Sequence, residues 1–180
     1  MVQRRLGGFL DDPIFKDIPL NAITLPGQAF LTRNLDKIPH DAIAFMARLC
    51  MGATFWLSGQ SKIEGLVLNP IGLEAQLGWP KVSESAIELF TYEYVLPVLP
   101  PEFAATMAAA AEHIFPFLLV IGLASRLSAL ALLGMTMVIQ VFVYPDAWPT
   151  HGIWAALLLY IAARGPGRWS LDHLMTRRKR

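Results

Sequence analysis

Cysteine is nearly absent: Cys50 is the only one in 180 residues. That excludes an internal disulfide, a CxxC redox pair and a cysteine-based zinc site. Charge is also scarce, at 16% Asp, Glu, Lys and Arg against about 25% in an ordinary soluble protein. The formal net charge of +1 gives no bulk attraction for nucleic acid. The first forty residues have neither the apolar core nor the small-residue cleavage site of a signal peptide, so insertion is expected to rely on the first true span. No internal repeat, low-complexity tract, Gly-rich nucleotide loop or nucleophile motif occurs.

Apolar residues make up 54% of the chain. Charge collects at the ends and leaves long uncharged runs between, which points to lipid as the solvent for the middle. Four runs have the length and composition of spans: 42–62, 103–124, 127–144 and 148–163. The expected fold is therefore an all-α integral membrane four-helix bundle. Residues 1–40 read as a cytoplasmic tail interrupted by Pro13, Pro19 and Pro26, 41–174 as the bundle, and 175–180 as a basic C-terminal tail. Within the first external connection, Ile87, Phe90 and Tyr94 share one helical stripe, Glu84 and Glu88 lie on another, and Ser83 stands ready as a cap. This predicts a short amphipathic helix on the outer surface; an ordinary interfacial loop fits the same pattern.

Lys and Arg counts set the orientation. Twelve of the fifteen lie in the tails and the second connection, against Lys62 and Lys81 on the other side and Arg48 within a span. Both termini are expected in the cytoplasm. Trp79, Tyr144 and Trp148 then fall at the outer interface.

Arg48 and Glu112 are the charges that the spans place inside the bilayer. Ions at that depth cost at least about 2.5 kcal/mol each and usually face the bundle interior and pair. The expectation is an Arg48–Glu112 pair, either a proton-active carboxylate tuned by a buried cation or a structural tie fixing helix register. Arg48, Gly52, Phe55, Gly59 and Lys62 recur at steps of four, three, four and three, so they share one helix face. The glycines on it allow a neighbouring helix to come close, and Lys62 ends it where its ammonium is expected to snorkel to water. Pro116 has no N–H for the Glu112 carbonyl, so a kink and a small polar pocket are expected there. His113, His151 and Gln140 are the other polar candidates. Two histidines on facing helices offer haem ligands in principle, but their expected depths differ by roughly 10 Å, and no ligand spacing supports a metal. The seven methionines read as packing.

Several pieces together resemble the DoxX family of small bacterial inner-membrane proteins, over about residues 42–174. They are Arg48, Phe55, Ser58-Gly59 and Lys62-Ile63; then Glu112; then Gly122-Leu123-Ala124-Ser125-Arg126; and finally Gly165-Pro166-Gly167-Arg168-Trp169-Ser170-Leu171-Asp172. The resemblance implies a four-helix membrane bundle in the bacterial cytoplasmic membrane. Relatives include a membrane subunit of a thiosulfate:quinone oxidoreductase and proteins linked to oxidative-stress and sulfur-handling complexes. By that analogy the expected cofactor is a quinone and the expected partner a membrane or soluble redox protein that supplies electrons. Glu112 would take a proton, Arg48 would polarise an oxygen and Lys62 would contact the cofactor; the polar residues His113, His151 and Gln140 are read from the spans themselves as further cofactor contacts. A non-enzymatic anchor or assembly factor is the alternative, with a small-solute or metal transporter behind it. A homo-oligomer is compatible with each.

Overall fold

The structure is a computed structural model, and it describes residues 34–35, 37–69 and 72–177. The chain divides into two units, 1–39 and 40–180. The proline-interrupted tail expected from the sequence lies almost wholly outside the described residues, as do the last three residues of the basic C-terminus. The elements that position the site all belong to the second unit.

Four long helices make the bundle: α1 (His40–Gln60), α3 (Pro101–Ile121), α4 (Ser125–Phe142) and α5 (Trp148–Arg164). Between α1 and α3 lie two small antiparallel strand pairs and a short helix, α2 (Glu84–Tyr92). A seven-residue helix, α6 (Leu171–Arg177), closes the described chain. The long helices pack as a closed ring, α1 on α3, α3 on α4, α4 on α5 and α5 on α1. The shared core takes Met51 and Phe55 from α1, Leu119 from α3, Leu132 from α4, and Leu158 and Ile161 from α5. Large apolar side chains such as Met46, Phe117, Leu130 and Leu159 point outward and stay exposed. In water such a surface would aggregate; in lipid it is the solvated face. The helices α1, α3 and α4 are long and apolar enough to cross a membrane. α5 has 17 residues, roughly 26 Å of helix, at the short end of the range for a span.

Local chemistry accounts for the helix ends. Proline stands in the first turn of α3 and of α5, where its missing N–H removes no intrahelical bond. Gly122 ends α3 in the left-handed conformation, at φ 75°. Ser83 caps α2 as its sequence suggests, its Oγ accepting from the Ala86 amide at 3.1 Å. The stripe predicted for α2 is the one that packs: Phe90 is buried against Ala104 and Ala105 of α3, with Ile87 and Tyr94 beside it, while Glu84 and Glu88 are exposed.

The strands are an addition to the all-α expectation. β1 (Ile63–Glu64) pairs with β4 (Lys81–Val82), and β2 (Val67–Asn69) with β3 (Glu74–Gln76). Pairs this short carry almost no periodic signal, which is why the sequence pattern passes over them. They matter because β1 begins directly after Lys62 and folds the connection back over the end of α1. Tyr144, two residues beyond α4, donates its hydroxyl to Glu93 and packs edge-on against Tyr94. This ties the end of α4 to the end of α2. The Glu93 carboxylate, taking that bond, holds the phenol above the ordinary tyrosine range.

Candidate functional site: a buried lysine–glutamate pair

The face predicted for α1 is the face it buries. Arg48, Gly52, Phe55, Gly59 and Lys62 are all buried, and α3 lies against them. A β-carbon on Gly52 would stand 2.4 Å from the Val120 side chain, and one on Gly59 2.9 Å from the His113 ring and 3.1 Å from Glu112. Glycine at these two points is what lets the antiparallel helices approach.

That approach sets which charges meet, and the predicted pair is replaced by another. Glu112 Oε2 accepts from Lys62 Nζ at 2.7 Å, and both side chains are almost fully buried. Lys62 also donates to the Ser58 carbonyl at 3.1 Å and to Ser58 Oγ at 3.0 Å. Lys62 therefore turns inward and does not snorkel. The reason is its position. α3 extends past the end of α1, so Glu112 stands level with Gly59, and the β1–β4 pair covers Lys62 from the other side. Ser83 donates its backbone amide to the Lys62 carbonyl at 3.0 Å and completes the cover.

His113 extends the cluster. Its Nδ1 bonds the Ala109 carbonyl at 2.6 Å, which can only accept, so Nδ1 carries the hydrogen. Nε2 then accepts from the Gln60 amide nitrogen at 2.9 Å. Gln60 Oε1 accepts from the Leu68 amide at 2.6 Å, which fixes the amide's orientation. Trp56 stands edge-on to the His113 ring at 5.0 Å and donates its indole N–H to the Leu68 carbonyl. A groove of about 620 Å³ opens beside it, between α1 and α3 under the β2–β3 pair, lined by Gly52, Trp56, Leu68, Pro116, Phe117 and Val120 among others. The groove reaches Trp56 but not Glu112 itself.

Arg48 belongs to a different cluster. It donates to the carbonyls of Val120 at 3.3 Å, Leu119 at 3.5 Å, and Trp169. Those α3 acceptors lie seven and eight residues beyond Glu112, roughly 10 Å along the helix. The expected Arg48–Glu112 pairing fails because α1 and α3 are offset along their axes, so that Glu112 lies level with Gly59 and Arg48 with the end of α3. Asp172 is the carboxylate close enough to act on the Arg48 charge. Its oxygens accept from the Ala124 and Ser125 amides at 2.8 and 2.9 Å and so cap α4, which has no cap of its own.

His151 and Gln140 form a third, separate pair at 2.7 Å between α5 and α4. Of the six predicted site residues, the structure thus brings Lys62, Glu112 and His113 together and sets Arg48, His151 and Gln140 apart. Ser58, Gln60 and Trp56 complete the first cluster, and sequence reasoning assigned them no role. Ser58 had a usable signal, four residues before Lys62 on the same face. Gln60 and Trp56 are recruited by the strand pairs, which left none. Among the described residues, no three His, Cys, Asp or Glu side chains converge as a metal site would require.

A ring of apolar helices around a buried, hydrogen-bonded ion pair defines an integral membrane protein with a polar site inside the bundle. Residues 43–145 match the model of the DoxX family. The chain belongs to that family. The match runs from α1 to the turn before α5, so the segment from Gly165 to Asp172, a loop and the start of α6, lies beyond it. No curated protein and no solved structure matches the chain.

Proposed function

We propose that this protein is the membrane subunit of a quinone-linked redox complex, with Glu112 as its buried proton-accepting group. The observation that carries the reading is the Lys62–Glu112 pair with His113 and Gln60 beside it. A carboxylate enclosed with a cation and a hydrogen-bonded histidine is the kind of arrangement that moves protons inside membranes. The groove at Trp56 supports a quinone, since an apolar tail suits its lining and Trp56, which lines it, packs against His113, the neighbour of Glu112. The chain itself supplies no redox centre among its described residues, so a redox protein partner delivers the electrons. The same reading puts α5 across the membrane, both termini in the cytoplasm and the protein in the bacterial cytoplasmic membrane. The surplus of Lys and Arg in the tails and the α3–α4 turn supports this.

A second reading has one observation in its favour. The Lys62 ammonium has three oxygen partners, and a cation so fully held also serves as a structural tie in an anchor or assembly factor. Mass spectrometry of what copurifies in mild detergent, native against Glu112→Gln, separates the two. The redox reading expects a stoichiometric quinone or a recurring redox protein that the variant loses while staying folded. Bulk lipid alone, alike in both samples, would overturn it and leave the tie.

A further inference from the structure

We propose that the end of the bundle where α1 begins and α5 ends binds the headgroup of an anionic phospholipid. A cleft of about 820 Å³ lies there. Three arginines from three elements line it: Arg126 from the start of α4, Arg164 from the end of α5, and Arg168 from the loop that follows. Among the described residues none has a carboxylate within ion-pair distance; the ion pair found there is Lys62–Glu112, far along the bundle. Arg126 donates one N–H to the Ala162 carbonyl at 3.0 Å and keeps the rest of its fork. The side chains of Arg164 and Arg168 have no hydrogen-bond partner among the described residues.

Two acids share the cleft, Asp41 and Asp172, and both are engaged by backbone. Asp172 caps α4 through both oxygens. Asp41 accepts from the Arg168 amide at 2.7 Å. The acids therefore fix the loop and leave the guanidiniums unmatched. Two histidines, His40 and His173, also line the cleft, and His40 is bonded to the Tyr160 hydroxyl at 2.8 Å. Three planar forks around one cavity match the oxygens of a phosphate diester.

The rim selects a lipid over a free anion. Leu123, Leu127 and Met175 line the same cleft. Beside it α6 exposes Leu171, Leu174 and Met175 at helical spacing, with Trp169 exposed just before it. That is the pattern of a short helix lying at the lipid interface with an aromatic anchor. A ligand charged at one end and apolar at the other fits this cleft, and basic pockets beside membrane helices are where such headgroups bind.

The test is native mass spectrometry of the whole protein in mild detergent with phosphatidylglycerol and phosphatidylcholine added in equal amounts. The expected result is phosphatidylglycerol retained over phosphatidylcholine, with Arg164→Gln/Arg168→Gln lowering that preference by about ten- to thirtyfold. Those substitutions remove no hydrogen bond or ion pair among the described residues, so the variant is expected to keep the parent's melting temperature. Arg177→Gln, outside the cleft, leaves the preference unchanged. Undiminished preference in the double variant would overturn the proposal. So would an equal loss in Arg177→Gln, which would mean diffuse surface charge, or displacement of the lipid by an equal concentration of inorganic phosphate, which would mean a free-anion site.

Discussion

At the scale of single residues, the Lys62–Glu112 pair is one whose parts do not add. Removing one partner leaves the other charged, buried and unmatched, which costs about 3–5 kcal/mol, whereas replacing both by apolar groups of similar volume is often neutral. Glu112→Gln is therefore expected to lower the melting temperature in detergent, and Lys62→Met/Glu112→Leu to recover most of it. If the recovered double variant still loses quinone binding, the pair serves chemistry; if it regains every property of the parent, the pair serves packing alone. Gly122 is a second position where one atom decides. Its backbone sits at φ 75°, and an added β-carbon would meet Arg48 Nη1 at 2.2 Å and Ser170 at 2.5 Å. Gly122→Ala is expected to destabilise by at least about 2 kcal/mol, from backbone strain and displacement of Arg48. Gly134→Ala is the control, since its β-carbon would meet nothing within 4 Å.

At the scale of elements, the amphipathic α2 is held to the bundle by its packing on α3 and by Tyr144. Because the folded-state pKa of Tyr144 is raised, its contribution is whole below the ordinary tyrosine value of about 10 and is lost only as pH climbs above that, through the raised value. Tyr144→Phe is expected to speed hydrogen exchange of the α2 amides at neutral pH while those of α1 and α4 stay protected. Equal exchange in parent and variant would show that Phe90 and its neighbours hold α2 unaided. How far these elements were legible depends on their periodicity. The glycine stripe of α1 and the apolar stripe of α2 repeat at 3.6 residues and predict the buried faces the structure shows. The strands after Lys62 do not repeat at all. Because they fold over the end of α1, missing them meant missing the cover that turns Lys62 inward, and with it the true partner of Glu112.

For the whole molecule, the testable consequence of the charge distribution is topology. A reporter that is active only in the cytoplasm is expected to work when fused after residue 180 and to fail when inserted at Gly78, in the connection between α1 and α3. Activity at both places would mean that α5 does not cross. The bundle class was readable because lipid imposes long uncharged helices. The site was only partly readable, since contact between side chains depends on how far one helix slides past its neighbour, and hydropathy does not record that offset.

The cap on α4 also constrains how the protein is made. The carboxylate that satisfies the first amides of α4 belongs to Asp172, and a carbonyl that receives Arg48 belongs to Trp169, so two early elements are completed by residues translated well over forty positions later. A nascent chain whose synthesis stops ahead of Gly165 carries an α4 without its cap and an Arg48 that lacks one of its three carbonyl acceptors. A chain shortened ahead of Gly165 is therefore expected to melt below the parent in detergent.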